Sequence, residues 1–132
     1  QMLESLNEVC GRYRIFGAVG APNLPCQFPE NKYKYICFGG CSAGIDWLAI
    51  DPSGRVRICN HSPTILGDLL RQDFAEIWGH ELLKSFRNAS IIPEECGGCD
   101  KRQDCRGGCR AVAETYYGDI RATDPLMNIK PK

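Results

Sequence analysis

Cys96-Gly97-Gly98-Cys99-Asp100-Lys101-Arg102-Gln103-Asp104-Cys105-Arg106-Gly107-Gly108-Cys109 puts four thiols into fourteen positions and parts them with two glycine pairs. From Pro93 to Gly108 the chain is too rich in glycine, cysteine and charge for regular structure, and it has too few apolar residues to offset its ordering entropy. Something other than the backbone must order it. A chain wrapped around a metal or cluster turns tightly and aims amides at sulfur, which demands φ values and close approaches that only glycine tolerates freely. Taken alone, Cys96-x2-Cys99 is a weak signal, because zinc knuckles, redox pairs and chance all produce it.

Upstream, Trp47 to Asp51 and Arg55 to Cys59 read as two short strands around Pro52-Ser53-Gly54, whose turn chemistry predicts a hairpin. Cys41 and Cys59 bracket this hairpin, so it carries a thiol at each root. Two separate ligand groups result. The whole chain holds nine cysteines in 132 residues. The odd count, the lack of signal-peptide character in Gln1 to Ser5, and a length that does not require covalent staples argue against disulfides. In a reducing compartment, thiols at short spacing hold metal, so a cytoplasmic location is expected.

Lys+Arg and Asp+Glu number 16 each, and the zero net charge removes the electrostatic argument for nucleic acid or an anionic membrane surface. No apolar run approaches the roughly 20 residues needed to cross a bilayer. Neither nucleic acid nor membrane is an expected partner. The chain opens on Gln1 and reads as a piece of a longer protein.

Met2 to Val9 sets Leu3, Leu6, Val9 and Cys10 on one helical face ending at Gly11, and Ile15 to Val19 reads as a strand. Gly20 to Asn31, with Pro22, Pro25 and Pro29, must be loop or edge, and it carries Cys26. From Asp68 to Arg87 the apolar spacing predicts two short helices broken near Gly79. Cys109 to Tyr117 predicts another, stopped at Gly118 by a left-handed cap. Arg121 to Lys132 is read as a tail that wraps or frays.

Read jointly as Cys41, twelve residues, Gly54, four residues, Cys59, a gap, then Cys96-x2-Cys99-x5-Cys105-x3-Cys109, the pattern resembles the SPASM domain found at the C-terminus of many radical SAM enzymes. Ile50-Asp51-Pro52-Ser53-Gly54-Arg55-Val56, Ile77-Trp78, Arg106 to Arg110, and Gly118-Asp119 before Asp124-Pro125 fit as well. The match covers about two thirds of the chain. The resemblance implies an α+β fold, a small Cys-rich domain in which a β-hairpin is followed by short helices and cluster-binding loops. Residues 1–36 would be the end of a preceding radical SAM barrel and linker, a helix-strand remnant, with the auxiliary domain at 37–127 and a tail at 128–132.

The resemblance further implies one or two auxiliary iron–sulfur clusters of the 4Fe–4S type, in an enzyme that modifies a peptide or protein. Carried over position by position, Cys41, Cys59 and Cys109 hold the first cluster, joined by Cys37 four residues upstream of Cys41. Cys96, Cys99 and Cys105 hold the second. Cys105 and Cys109, parted by an arginine and two glycines, can face different ways and tie the two together. Arg106 and Arg110 either stabilise the cluster dianions or face solvent.

Two departures matter. The seventh motif cysteine, expected after an Asp-Pro pair, is missing, since Asp124-Pro125 is followed by Leu126 and Met127. The second cluster then takes an oxygen ligand such as Asp124, Asp119 or Asp104, keeps an open iron, or does not form. The radical-generating motif Cys-x3-Cys-x2-Cys also fails, because Cys37-x3-Cys41 is followed at the third place by Gly44. S-adenosylmethionine would therefore bind only in the parent enzyme. The alternative function is a structural zinc module for protein interaction. Of the remaining residues, His61 is read as a turn residue, His80 as surface and Cys10 as a buried small hydrophobe. Tyr116, Tyr117 and Trp47 are read as core or cluster shielding, and Cys26 is left between loop thiol, barrel-end residue and spare ligand.

Overall fold

The computed structural model describes residues 2–20, 24–28 and 30–128. Pro22, Pro29 and the last four residues, on which part of the loop and tail expectations fall, lie outside them. Helix α1 (Met2–Tyr13) runs through Gly11 and stops at Arg14, whose φ is +53°. It outlasts the expected helix because Gly11 gives α1 a close approach to Tyr35: an added Cβ would stand 2.7 Å from that ring. Cys10 is buried, as read from the sequence, and its sulfur lies against Gly17.

Strand β1 (Gly17–Val19) pairs in parallel with β2 (Ile36–Phe38), matching Ala18 to Cys37. The sequence carries no local signal for β2, since its partner is distant and the strand is only three residues long. The boundary read between residues 36 and 37 falls inside it.

The hairpin forms with shorter strands than expected, β3 (Ala49–Ile50) and β4 (Arg55–Arg57). Asp51 Oδ1 accepts from the Ser53 amide at 2.9 Å, the Ser53 hydroxyl at 2.6 Å and the Arg55 amide at 3.2 Å, and Gly54 closes the turn at φ +85°. A third strand, β5 (Ile65–Asp68), pairs antiparallel with β4 across a bulge at Val56/Arg57, giving the order β3-β4-β5. This corrects the helical reading at Asp68: Leu69 and Leu70 belong to the turn after β5, and Leu70 is exposed.

Helices α2 (Phe74–Trp78) and α3 (Glu81–Arg87) follow, parted at Gly79 as expected. Asp73 and Glu76 form a capping box on α2, and His80 Nδ1 caps α3 by accepting the Leu82 amide at 3.1 Å. The sheet and these helices share one apolar core in which Val56, Leu83, Ile77 and Ile91 are almost wholly excluded from water. Beyond it come a 3-10 turn (Glu94–Cys96), the one-turn α4 (Arg102–Cys105), and α5 (Arg110–Tyr117), which ends on left-handed Gly118 at φ +73°. The stretch read as irregular thus holds two short helical turns. Tyr116, Tyr117 and Trp47 are exposed, so none is core, and the two tyrosines pack edge to face at 4.8 Å.

Candidate metal centre

Three of the cysteines assigned to the first group meet in space. Cys41 follows β2, Cys59 lies two residues beyond β4, and Cys109 is the N-cap of α5; all three line one cavity with Ile58, Arg106 and Arg110. With its open mouth, this cavity encloses about 460 Å³ not filled by protein atoms. Burial pushes the Cys109 thiol up; the amides of Val112 and Ala111, facing its sulfur from the first turn of α5, oppose that, and charge on Cys41 and Cys59 adds to it. Cys37 stands on β2, exposed, opposite Ala18.

Cys96 closes the 3-10 turn and is buried, Cys99 is exposed, and Cys105 ends α4 half-buried. Burial raises the Cys96 thiol, and charge on Cys105, Cys99 and Cys26 acts in the same direction. Cys105 is raised by burial too, against the amides of Gly108 and Gly107 that face it. Those amides are aimed by three consecutive left-handed residues, Arg106 (φ +55°), Gly107 (φ +76°) and Gly108 (φ +85°). Such a nest is the anion-holding backbone read from the second glycine pair, whereas Gly97 in the first pair is right-handed at φ −59°. It admits no side chain at either glycine: a Cβ on Gly107 would lie 2.6 Å from Pro93 Cδ, and one on Gly108 would lie 2.5 Å from Asp124 Oδ2.

The two groups are joined through Arg110, and here the solvent-facing reading is corrected. Arg110 is buried and donates to the carbonyls of Ala122 at 2.6 Å, Ile120 at 3.3 Å and Gly107. Burial lowers its pKa, while Asp124, Cys96, Cys109 and Cys105 hold the charge in place. The guanidinium therefore lies within electrostatic reach of thiols from both groups. Arg106 is half-buried and donates to the Phe86 carbonyl at 2.8 Å, fastening the thiol loop to α3. Gly40 makes the opposite connection, its α-carbon so near α4 that an added Cβ would stand 3.0 Å from the Asp104 carbonyl oxygen.

Asp124 is buried, and its two oxygens accept the amides of Cys109 at 2.7 Å and Leu126 at 2.9 Å. Asp119 and Asp104 are exposed. Glu114 anchors α5 to the chain after the hairpin by accepting the hydroxyls of Ser62, at 2.6 Å, and Thr64. Sequence reasoning missed the neighbourhood of Cys26. Its distance along the chain from Cys96 hid a proximity that only the fold creates.

The donors are thiols throughout, backbone amides face two of them, and a buried cation lies between the groups: this is the chemistry an iron–sulfur cluster requires. Among the described residues, no three His, Cys, Asp or Glu side chains converge on a single metal ion.

Comparison with known proteins agrees with this chemistry. Residues 41–100 match the SPASM family model, described as an iron–sulfur cluster-binding domain. The chain is 33% identical over 105 residues to the PqqA peptide cyclase of Methylobacterium nodulans, covering 76% of this chain and 27% of that protein. It is 38% identical over 100 residues to the PqqA peptide cyclase of Xanthomonas campestris pv. campestris, covering 72% and 26%. To the AdoMet-dependent heme synthase of Nitratidesulfovibrio vulgaris it is 34% identical over 105 residues, covering 79% and 28%. The chain spans about a quarter of the length of these relatives.

Proposed function

We propose, from the match of residues 41–100 to the SPASM family model of iron–sulfur cluster-binding domains, that the chain is the auxiliary-cluster part of a radical SAM enzyme that modifies a peptide. The observation that carries this reading is the meeting of Cys41, Cys59 and Cys109 around one cavity. These three thiols, with Cys37, hold a first 4Fe–4S cluster, and Cys96, Cys99 and Cys105 hold a second. When bound, such clusters supply one-electron transfer or an open iron for a substrate group.

The residues of this chain contribute position and electrostatics. Cys41 is placed by the segment after β2, Cys59 by the segment after β4, Cys109 by the N-terminal end of α5, and Cys105 by the left-handed nest behind it. Arg110, buried among thiols of both groups, offsets their negative charge and favours the reduced state of whatever they hold. Ile58, Phe86, Ile91 and Ala111 line the first cavity with apolar surface.

Cleavage of S-adenosylmethionine falls to the part of the enzyme that precedes this chain. Gly44, at the third place of the failed radical motif, is a left-handed residue at φ +76° packed on Phe86 and Leu83. Residues 1–36 form the end of the preceding barrel, a reading supported by the exposed apolar side chains Met2, Tyr13, Ile15 and Phe16. A peptide substrate is favoured by the two relatives named as peptide cyclases, and a tetrapyrrole is the alternative favoured by the relative named as a heme synthase. No helix among the described residues is long and apolar enough to cross a membrane, and nine cysteines clustered at short spacing suit a reducing compartment.

Iron, acid-labile sulfide and zinc measured on anaerobically purified protein, after reconstitution with iron and sulfide, test the function. Iron and sulfide in equal amounts with a broad visible absorption are expected. A colourless protein that keeps stoichiometric zinc through reconstitution would replace this reading with a structural zinc module.

A further inference from the structure

The second group is one thiol short, because the position expected to carry the seventh motif cysteine is not a cysteine. The oxygen donor next to it is already engaged: Asp124 gives its oxygens to the Cys109 and Leu126 amides, one each. Met127, two residues after Pro125, packs its side chain against the apolar core. What the fold brings to this place is a different piece of chain. Leu24, 1% exposed, is wedged so tightly that a Cβ on Gly108 would meet its Cδ2 at 2.7 Å. The Leu24 carbonyl accepts the amides of Gln27 and Phe28, both at 2.8 Å, which closes a turn around Pro25 and Cys26. Gln27 Nε2 then donates to the Met127 carbonyl at 3.1 Å. The turn is thus fixed from two sides, to the glycine nest behind Cys105 and to the segment where the late cysteine is missing. Cys26 sits between those two anchors with an exposed thiol, and its charge acts on both Cys96 and Cys105.

We propose that Cys26 is the fourth thiolate of the second group, so that Cys26, Cys96, Cys99 and Cys105 together ligate one iron–sulfur cluster, with Cys26 replacing in space the cysteine absent after Asp124-Pro125. The proposal rests on the cluster-binding function above. It removes the need for an oxygen ligand or an open iron at this site, and it assigns the second cluster to electron transfer, since four thiolates leave no corner free for substrate. It also makes residues before the hairpin part of the metal-binding unit.

The test uses the full chain, reconstituted anaerobically with iron and sulfide, and compares iron content and the electron paramagnetic resonance spectrum of the reduced protein. Cys26→Ala is expected to alter or abolish the same spectral component as Cys99→Ala and to spare the component lost in Cys109→Ala. The doubly substituted Cys26→Ala/Met127→Cys protein, which restores a thiol at the late motif position, is expected to recover that component. Cys26 is exposed, so the substitution leaves the apolar core intact, and unchanged circular dichroism verifies this. A Cys26→Ala protein with wild-type iron content and spectrum, while Cys99→Ala has lost a component, overturns the proposal and leaves the function standing. If the unsubstituted protein takes up no iron and sulfide, the function falls and the proposal with it.

Discussion

The region built on β3, β4, β5, α2 and α3 and the region that runs from Pro93 to Cys109 are held by different forces. In the first, Val56, Ile77, Leu83 and Ile91 are sealed from water, and burial of large aliphatic side chains at about 1.5–3 kcal/mol each dominates. In the second, Pro93 and Cys96 are the buried apolar side chains, and order comes from a left-handed nest, from the Arg110 bond to Gly107 and from the Arg106 bond to Phe86. The first region is a scaffold of buried apolar side chains, while the second is a set of thiol donors on a backbone with little apolar burial of its own. Arg106 and the Gly40 contact with Asp104 couple the two.

Substitutions can separate these contributions. Leu83→Ala in the scaffold is expected to cost about 2–5 kcal/mol in denaturant unfolding, by nearly the same amount with and without iron. A cost that appeared only in the iron-loaded protein would mean the scaffold is not independent. Gly108→Ala strikes the other region, where the new methyl meets Asp124 and φ is +85°. We expect it to cost about 1–3 kcal/mol and to reduce iron retention by the second group, whereas unchanged iron binding would remove the nest from the account. Hydrogen exchange sharpens the comparison without mutation: amides of residues 97–108 should exchange faster in iron-free protein than in loaded protein, while those of β4 and α3 stay constant. Equal protection of the loop in both forms would show that it folds unaided.

The smallest effect is expected at α1, where Lys32 donates to Glu4 at 2.5 Å and lowers the Glu4 pKa to about 2. The folded-state value is depressed, so its contribution is present above the unfolded value of 4.5 and fades as pH falls towards 2. The pair is solvent-exposed, so a pH titration of unfolding should show only a slight loss over that range, smaller still in Lys32→Met.

The sequence revealed those parts of the fold that depend on near neighbours. Asp51-Pro52-Ser53-Gly54 dictates its own turn, Gly79 and Gly118 end helices, and Gly107-Gly108 announces amides aimed at sulfur; Gly97, right-handed at φ −59°, does not. β5 was hidden because Ile65-Leu66-Gly67-Asp68 runs into Leu69-Leu70, whose spacing continues the helical pattern of the next segment. β2 was hidden because its strand partner lies 19 residues away in register (Gly17 to Ile36) and leaves no local trace. Sequence leaves Arg110 between a cluster-stabilising cation and a solvent-facing charge, and only the carbonyls of Gly107, Ile120 and Ala122 converging on it make it interior. Of the candidate site, short-range spacing exposed the Cys96 to Cys109 loop. The approach of Cys26 needed a long-range contact between Leu24 and Gly108 that no spacing encodes.

Mössbauer spectra of Cys99→Ala and Cys109→Ala, both reconstituted with isotopically enriched iron, test most directly whether the thiols form two neighbouring cluster sites. The account predicts that each substitution removes a different component and leaves the other intact. Loss of one and the same component in both proteins would contradict it.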